Sequence, residues 1–226
     1  NSNVVQAMLA ATSPTLNVEV GTIAQIPIIE VSTVAIDAVR ELIEIHHEDW
    51  NAQETSWDFS TFSLIKAKQA TVQGAVGAVL ESGLGLADRV RRLEIETNAE
   101  VARLYGLDGE VDPDVPLSRI TLNANPEFRF GAGLTEAQLL ERFKADSVVD
   151  LVSYAVGCMF GRYSLDVPGL ILANEGATLQ DYLAKVPTPS FKPDTDNVIP
   201  IVDGDWFEDD IVARFREFLR VAFGEE

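Results

Sequence analysis

The residues Thr135-Glu136-Ala137-Gln138 constrain the fold more than any other stretch of this chain. They form a capping-box pattern, with Thr as N-cap and Gln at N3, which satisfies two orphan backbone donors at a helix start. From there to about Phe160 the apolar residues Leu139, Phe143, Val149, Val152, Val156 and Phe160 recur at helical spacing. Ser153, Gly157 and Gly161 fall on one line at i, i+4 and i+8. A row of small side chains lets another backbone approach closely, so this helix is expected to be central.

The other segments read around it as follows. Val4, Val5, Met8 and Leu9 mark a short N-terminal helix, ended at Ser13-Pro14. Leu16–Val20 and Ile26–Ile29 read as short extended runs separated by a turn at Gly21, with Pro27 making the second an edge strand or no strand. A helix is expected from about Val34 to His47, followed by a loop, Trp50–Phe62, that packs its aromatic rings onto a neighbour. Val72–Tyr105 reads as helix with Leu86, Val90, Leu93, Ile95, Val101 and Leu104 inward, a break near Gly83-Leu84-Gly85, and an end at Gly106 or Gly109. Pro113, Pro116 and Pro126 forbid one helix over Glu110–Gly133, where Arg119–Leu122 reads as a strand. Leu170–Leu172 and Val198–Val202 read as further strands around a small helix, Leu179–Val186. The last helix is placed from Asp205 as N-cap, with Glu208 at N3 and a stripe of Ile211, Phe215, Phe218, Leu219 and Ala222. The fold class predicted is mainly α, a helical domain with a few short β-strands.

Composition narrows what such a chain does. Acids outnumber bases 36 to 17, a formal charge of −19. A surface this acidic repels phosphate at long range, so free nucleic acid is a poor partner. The single cysteine, Cys158, excludes a disulfide framework, and its apolar neighbours make it a buried, inert thiol. The longest apolar candidate, Val148–Phe160, is too short for a membrane span and contains Asp150. With no signal peptide and no start methionine, the chain reads as a piece of a longer cytoplasmic protein.

The motifs that tempt a catalytic reading each lack a part. His46-His47-Glu48-Asp49 has Asn51 where a zincin's second histidine would stand. The acids Asp194, Asp196, Asp203, Asp205, Glu208, Asp209 and Asp210 fail calcium-loop spacing, with Val198 or Phe207 at the fifth position. Gly83-Leu84-Gly85 and Gly131-Ala132-Gly133 lack the rest of a nucleotide-binding loop and read as turn or hinge glycines. Asn125-Pro126-Glu127-Phe128 resembles the Asn-Pro-Pro-Tyr/Phe motif that grips a flipped base in amino-methyltransferases, but glutamate replaces the second proline. No catalytic, cofactor-binding or metal-binding residue is assigned, and DNA-binding residues are left open.

Several longer words carry a resemblance. Asn1-Ser2, Ser13–Asn17 (SPTLN), Val20-Gly21 and Ile26-Pro27-Ile28 resemble the closing part of target-recognition modules in restriction-type DNA methyltransferases. Asp49-Trp50, Glu54–Phe59 (ETSWDF), Leu64-Ile65, Glu96-Thr97-Asn98, Leu104–Leu107 (LYGL), Val115-Pro116-Leu117 and Ile120-Thr121-Leu122 continue the series. Ser153–Asp166 (SYAVGCMFGRYSLD), Asp196–Ile201 (DNVIPI) and Trp206–Val212 (WFEDDIV) complete it, and the runs Tyr154–Asp166 and Trp206–Val212 are the most particular. Together these resemble PglX, the family of adenine-specific DNA methyltransferases of BREX phage-defence systems.

The resemblance implies a parent enzyme that transfers methyl from S-adenosylmethionine to adenine N6 in a short DNA site, and a segment downstream of its catalytic domain. The family's cofactor loop and Asn-Pro-Pro-Tyr motif have no matching positions here. The segment alone is therefore expected to bind no cofactor, to be inactive, and to meet DNA weakly or only through the parent. Residues 1–32 are expected to end a target-recognition-like module, 33–69 to form a helix plus aromatic-rich connector, and 70–226 a helical domain. The leading function is a non-catalytic connector or specificity segment. An acidic docking module for other phage-defence proteins is the alternative, and DNA contact through Arg89, Arg91, Arg92 and Arg103 a third reading.

Overall fold

The computed structural model describes residues 2–13, 17–30, 32–131, 133–203 and 206–224. The helices are α1 (Asn3–Thr12), α2 (Val20–Ala24), α3 (Thr33–Asn51), α4 (Ser63–Lys66), α5 (Val72–Leu104), α6 (Pro126–Phe130), α7 (Glu136–Met159), α8 (Leu179–Lys185) and α9 (Ile211–Phe223), with a 3-10 turn at Leu117–Arg119. The protein is mainly α. Among the described residues there is no β-strand, so the short strands expected at Leu16–Val20, Ile26–Ile29, Arg119–Leu122, Leu170–Leu172 and Val198–Val202 do not form. Val20 instead begins α2, Arg119 closes the 3-10 turn, and Leu16 lies outside the described residues. A β-branched run becomes a strand only by pairing, and these segments bond elsewhere. The Ile171 and Leu172 amides donate to the carbonyls of Arg162 and Gly161, and the Pro200 carbonyl accepts from the Ile211 amide.

The chain divides into two compact units, each assembled from two stretches: Asn1–Glu48 with Gly83–Ala132, and Asp49–Ser82 with Gly133–Glu226. The first unit has a core of Ala87, Val90, Val115, Ile120 and Leu122, with Leu42, Ile45, Leu86, Ile95 and Leu117 packed on it. Leu86, Val90, Leu93, Ile95, Val101 and Leu104 are all buried or half-buried, as their spacing predicts. The break at Gly83-Leu84-Gly85 is absent, because α5 runs unbroken from Val72 to Leu104. Gly83 is not a hinge: a Cβ there would stand 2.6 Å from the Ala124 carbonyl oxygen, so it is a seat for the loop backbone. Gly106 ends the helix as expected. Its positive φ lets Leu107 donate to the Ala102 carbonyl and Gly106 to that of Arg103, a Schellman closure.

The second unit is held by rings. From the loop after α3, Phe59 packs on Tyr154 and Tyr163 and Phe62 stacks on Tyr154, with centroids 5.2 to 6.1 Å apart, and the two tyrosines stack at 5.1 Å. Phe218 joins Tyr154 from α9 and meets Phe191 edge-on. The aromatic loop therefore docks two of its rings, whereas Trp57 is 96% exposed and Trp50, half-exposed, belongs to α3. A satellite cluster joins Ile171, Tyr182 and Val186.

Helix α7 starts at the expected box, with both reciprocal bonds of Thr135 and Gln138 formed. Its buried face is not the expected one. Phe143, Ser147, Leu151, Tyr154, Ala155, Cys158 and Met159 are inward, while Val149 and Val152 are exposed. The small-residue line is occupied by a side chain rather than a backbone: a Cβ on Gly157 would lie 2.5 Å from the Tyr163 ring. Helix α9 begins later than expected. Asp210 caps it, accepting from the Val212 and Ala213 amides, while Glu208 and Asp209 precede it and Asp205 lies outside the described residues. Asp210 wins because its own side chain is buried at the helix start and the Ile211 amide already bonds the Pro200 carbonyl.

Candidate functional site

Within the second unit, the polar groups with the most unusual environment sit on the ring cluster. Glu54 leaves the turn after α3 and turns back toward α7. Its Oε2 accepts from the Tyr163 hydroxyl at 3.3 Å and from the Ser153 hydroxyl at 3.4 Å. Arg162 Nε donates to the Tyr163 oxygen at 3.1 Å, and its guanidinium lies over the Tyr163 ring. Burial raises the Glu54 pKa above the ordinary value, with the two hydroxyls and Arg162 pulling the other way and Asp150 adding to the rise. A carboxylate, a phenol and a guanidinium in series resemble an acid–base relay. The bonds run inward, however. Ser153 fastens the aromatic loop to α7 and Tyr163 fastens it to the turn that follows, while Tyr154 donates to the Ser164 carbonyl. Chemically the cluster is a clamp with one partly desolvated carboxylate.

Several of the groups singled out in the sequence are engaged in the fold. Asn125, 1% exposed, donates through Nδ2 to the carbonyls of Leu117 and Ile120 and accepts from the Glu127 amide as the cap of α6. Both of its amide hydrogens are thus used to hold the 117–120 turn, and Phe128 lies one turn into a short helix. His46 bonds the Leu42 carbonyl, one turn back in its own helix, at 2.7 Å. Cys158 is buried, and burial pushes its thiol up to about 12, far from a nucleophile's range. Asp194 and Asp196 turn their carboxylates onto the backbone, accepting from the Asp196 and Val198 amides. Gly131 and Gly133 both have positive φ, while Ala132 lies outside the described residues. Among the described residues no group of three or more His, Cys, Asp or Glu side chains is placed to hold a metal ion.

The arginines of α5 divide into two kinds. Arg89 makes a bidentate pair with Glu41, both bonds 2.7 Å, which lowers the Glu41 pKa. Arg91 donates to the Val115 carbonyl and to Asp114. Two of the four candidate DNA contacts therefore tie α3 and the 112–115 loop to α5. Asn98, in the same helix, accepts from the Asn3 amide and donates to the Pro113 carbonyl, fastening α1. None of these roles shows in local spacing. Glu54 and Tyr163 are 109 positions apart, and only their presence in long family-like words singles them out.

No protein-family model matches the chain. It is similar, from end to end, to the adenine-specific methyltransferase BrxX of Escherichia coli O9:H4 (strain HS), 34% identical over 227 residues. It is likewise similar to the adenine-specific methyltransferase PglX of Lacticaseibacillus casei (strain Zhang), 30% identical over 234 residues. In each case all of this chain is covered but only 18% of the relative. The 226 residues thus resemble, over their whole length, one segment of the BrxX and PglX adenine-specific methyltransferases.

Proposed function

We propose that this chain is a non-catalytic connector or specificity segment of a site-specific adenine-N6 DNA methyltransferase in a BREX-type phage-defence system of the cytoplasm. The observation that carries the reading is the end-to-end similarity to two adenine-specific methyltransferases that are each several times longer. The use of Asn125 as a buried helix cap supports it, since a target-amine grip needs that amide free. In this reading S-adenosylmethionine and the reacting adenine are bound elsewhere in the parent, and this segment sets how the parent meets its DNA. Among the described residues no helix is long and apolar enough to cross a membrane.

The test uses both the segment and the parent. The isolated chain, titrated calorimetrically with S-adenosylmethionine, should give no binding heat. The full-length enzyme should methylate adenine, and lose site-specific methylation but not cofactor binding when Gly157→Leu disrupts this segment. Micromolar cofactor binding by the chain alone would overturn the reading. The alternative, an acidic docking module, draws on the −19 charge and would show as loss of a partner protein with methylation intact.

A further inference from the structure

The acidity of this chain is not evenly spread. Although acids outnumber bases 36 to 17, no Asp or Glu occurs from Phe59 to Leu80, the longest acid-free stretch of the sequence, which holds Lys66 and Lys68. The middle of that stretch forms one wall of a groove of about 510 Å³, made by Ala70, Thr71 and Val72. The facing wall is the last two turns of α9, with Arg216, Leu219, Arg220 and Phe223. All of it lies within the second unit.

The arginines of α9 differ in how they are engaged. Arg214 is mostly buried, stacked over Phe191, bonded to the Lys192 carbonyl and paired with Glu217. That pair also uses up Glu217, the one acid of α9. Arg216 and Arg220, one turn apart, are exposed and have no ion-pair partner among the described residues. Two guanidiniums without an ion-pair partner among the described residues thus line one cleft, and its described lining residues include no acid. Planar guanidinium forks pair bidentately with the oxygens of a phosphate, and the apolar side of Leu219 and Phe223 suits a sugar edge.

We propose that this groove binds a phosphate group of the DNA backbone, with Arg216 and Arg220 as its ligands, making a local contact on a molecule that otherwise repels DNA. The phosphate chemistry stands on the groove alone; that DNA supplies it rests on the reading of the chain as part of a DNA methyltransferase.

The experiment follows the arginine side-chain Nε–Hε NMR signals of the whole 226-residue chain. Inorganic phosphate and a short DNA duplex are added separately, at constant ionic strength against chloride. Arg216 and Arg220 should shift with both additions. The double variant Arg216→Gln, Arg220→Gln should lose the duplex response. Arg142→Gln, an exposed arginine outside the groove, should keep it. The slope of log affinity on log salt should fall by about 0.9 for each phosphate contact removed. Circular-dichroism melting checks that the exposed substitutions leave the fold intact. A phosphate response no larger than that to chloride would overturn the proposal. So would a phosphate response without one to the duplex, or a duplex response that survives the double variant. None of these results touches the segment reading, which is decided by methylation in the full-length enzyme.

Discussion

Single atoms decide the sign of several substitutions in this protein. A helical glycine normally costs about 1 kcal/mol relative to alanine. Gly77 of α5 has open space where a Cβ would go, so Gly77→Ala should raise the melting midpoint. Gly83, six residues on in the same helix, seats the Ala124 carbonyl, and the methyl of Gly83→Ala would collide with backbone that has no flexible end to move. Overpacking of that kind costs typically 1–3 kcal/mol, so its midpoint should fall. A rise for Gly83→Ala would mean the 123–125 turn does not rest on α5. The pH dependence belongs to Glu54. Because burial raises its folded pKa, the group adds stability below the ordinary glutamate range and loses that contribution as pH rises through its folded pKa. Glu54→Gln keeps a side-chain carbonyl for Ser153 and Tyr163 but does not titrate. Its stability relative to the parent chain should therefore be better near pH 7 than near pH 4. Thermal unfolding at the two pH values tests this, and the opposite trend would show that Arg162 outweighs desolvation.

At the scale of elements, caps explain where the sequence was legible and where it was not. Thr135 and Gln138 satisfy each other's backbone within four residues, so the start of α7 needed no knowledge of the rest of the chain. The Gly106 end of α5 was readable for the same reason. The start of α9 was not, since Asp205 and Asp210 are equally good caps by residue type and only the surroundings choose between them. Asp210→Ala should cost about 1 kcal/mol, within the usual 0.5–2 range for a lost cap, and Asp209→Asn close to nothing. Chemical denaturation of the two variants would separate them, and equal effects would return the cap to another residue. The strands failed for a related reason. A helix closes its hydrogen bonds within itself, whereas Leu170–Leu172 and Val198–Val202 needed a neighbour that spacing alone could not supply.

For the whole molecule, charge is the dominant property that composition exposes. With −19 on 226 residues, the folded state carries self-repulsion that salt screens over about 10 Å at 0.1 M. The melting midpoint should therefore climb as sodium chloride is raised from low concentration to about 0.15 M, and level off as the Debye length falls below the spacing of the surface acids. A midpoint that falls with salt would mean that exposed pairs such as Arg89–Glu41 outweigh the repulsion. The organisation into two units, each drawn from two separated stretches, lay beyond reach of a linear reading. Two crossings fall inside helices, α3 and α5, so no loop marks either, and the glycines Gly83 and Gly85 beside the second do not interrupt α5.

What the sequence determined by itself is the mainly helical class, the existence of the long helices, and those ends whose hydrogen bonds close within a few residues. Family-like words also pointed to the methyltransferases that the chain resembles. Tertiary structure alone decided which face of α7 is inside, that Gly83 is a seat rather than a hinge, that Arg89 and Arg91 bind the fold, and that Glu54 clamps the aromatic loop. The division is physical. Backbone bonds and caps act over three to five residues and are written in local order. Burial, close approach and charge pairing join residues up to a hundred or more positions apart, and their outcome exists only once the chain has brought them together.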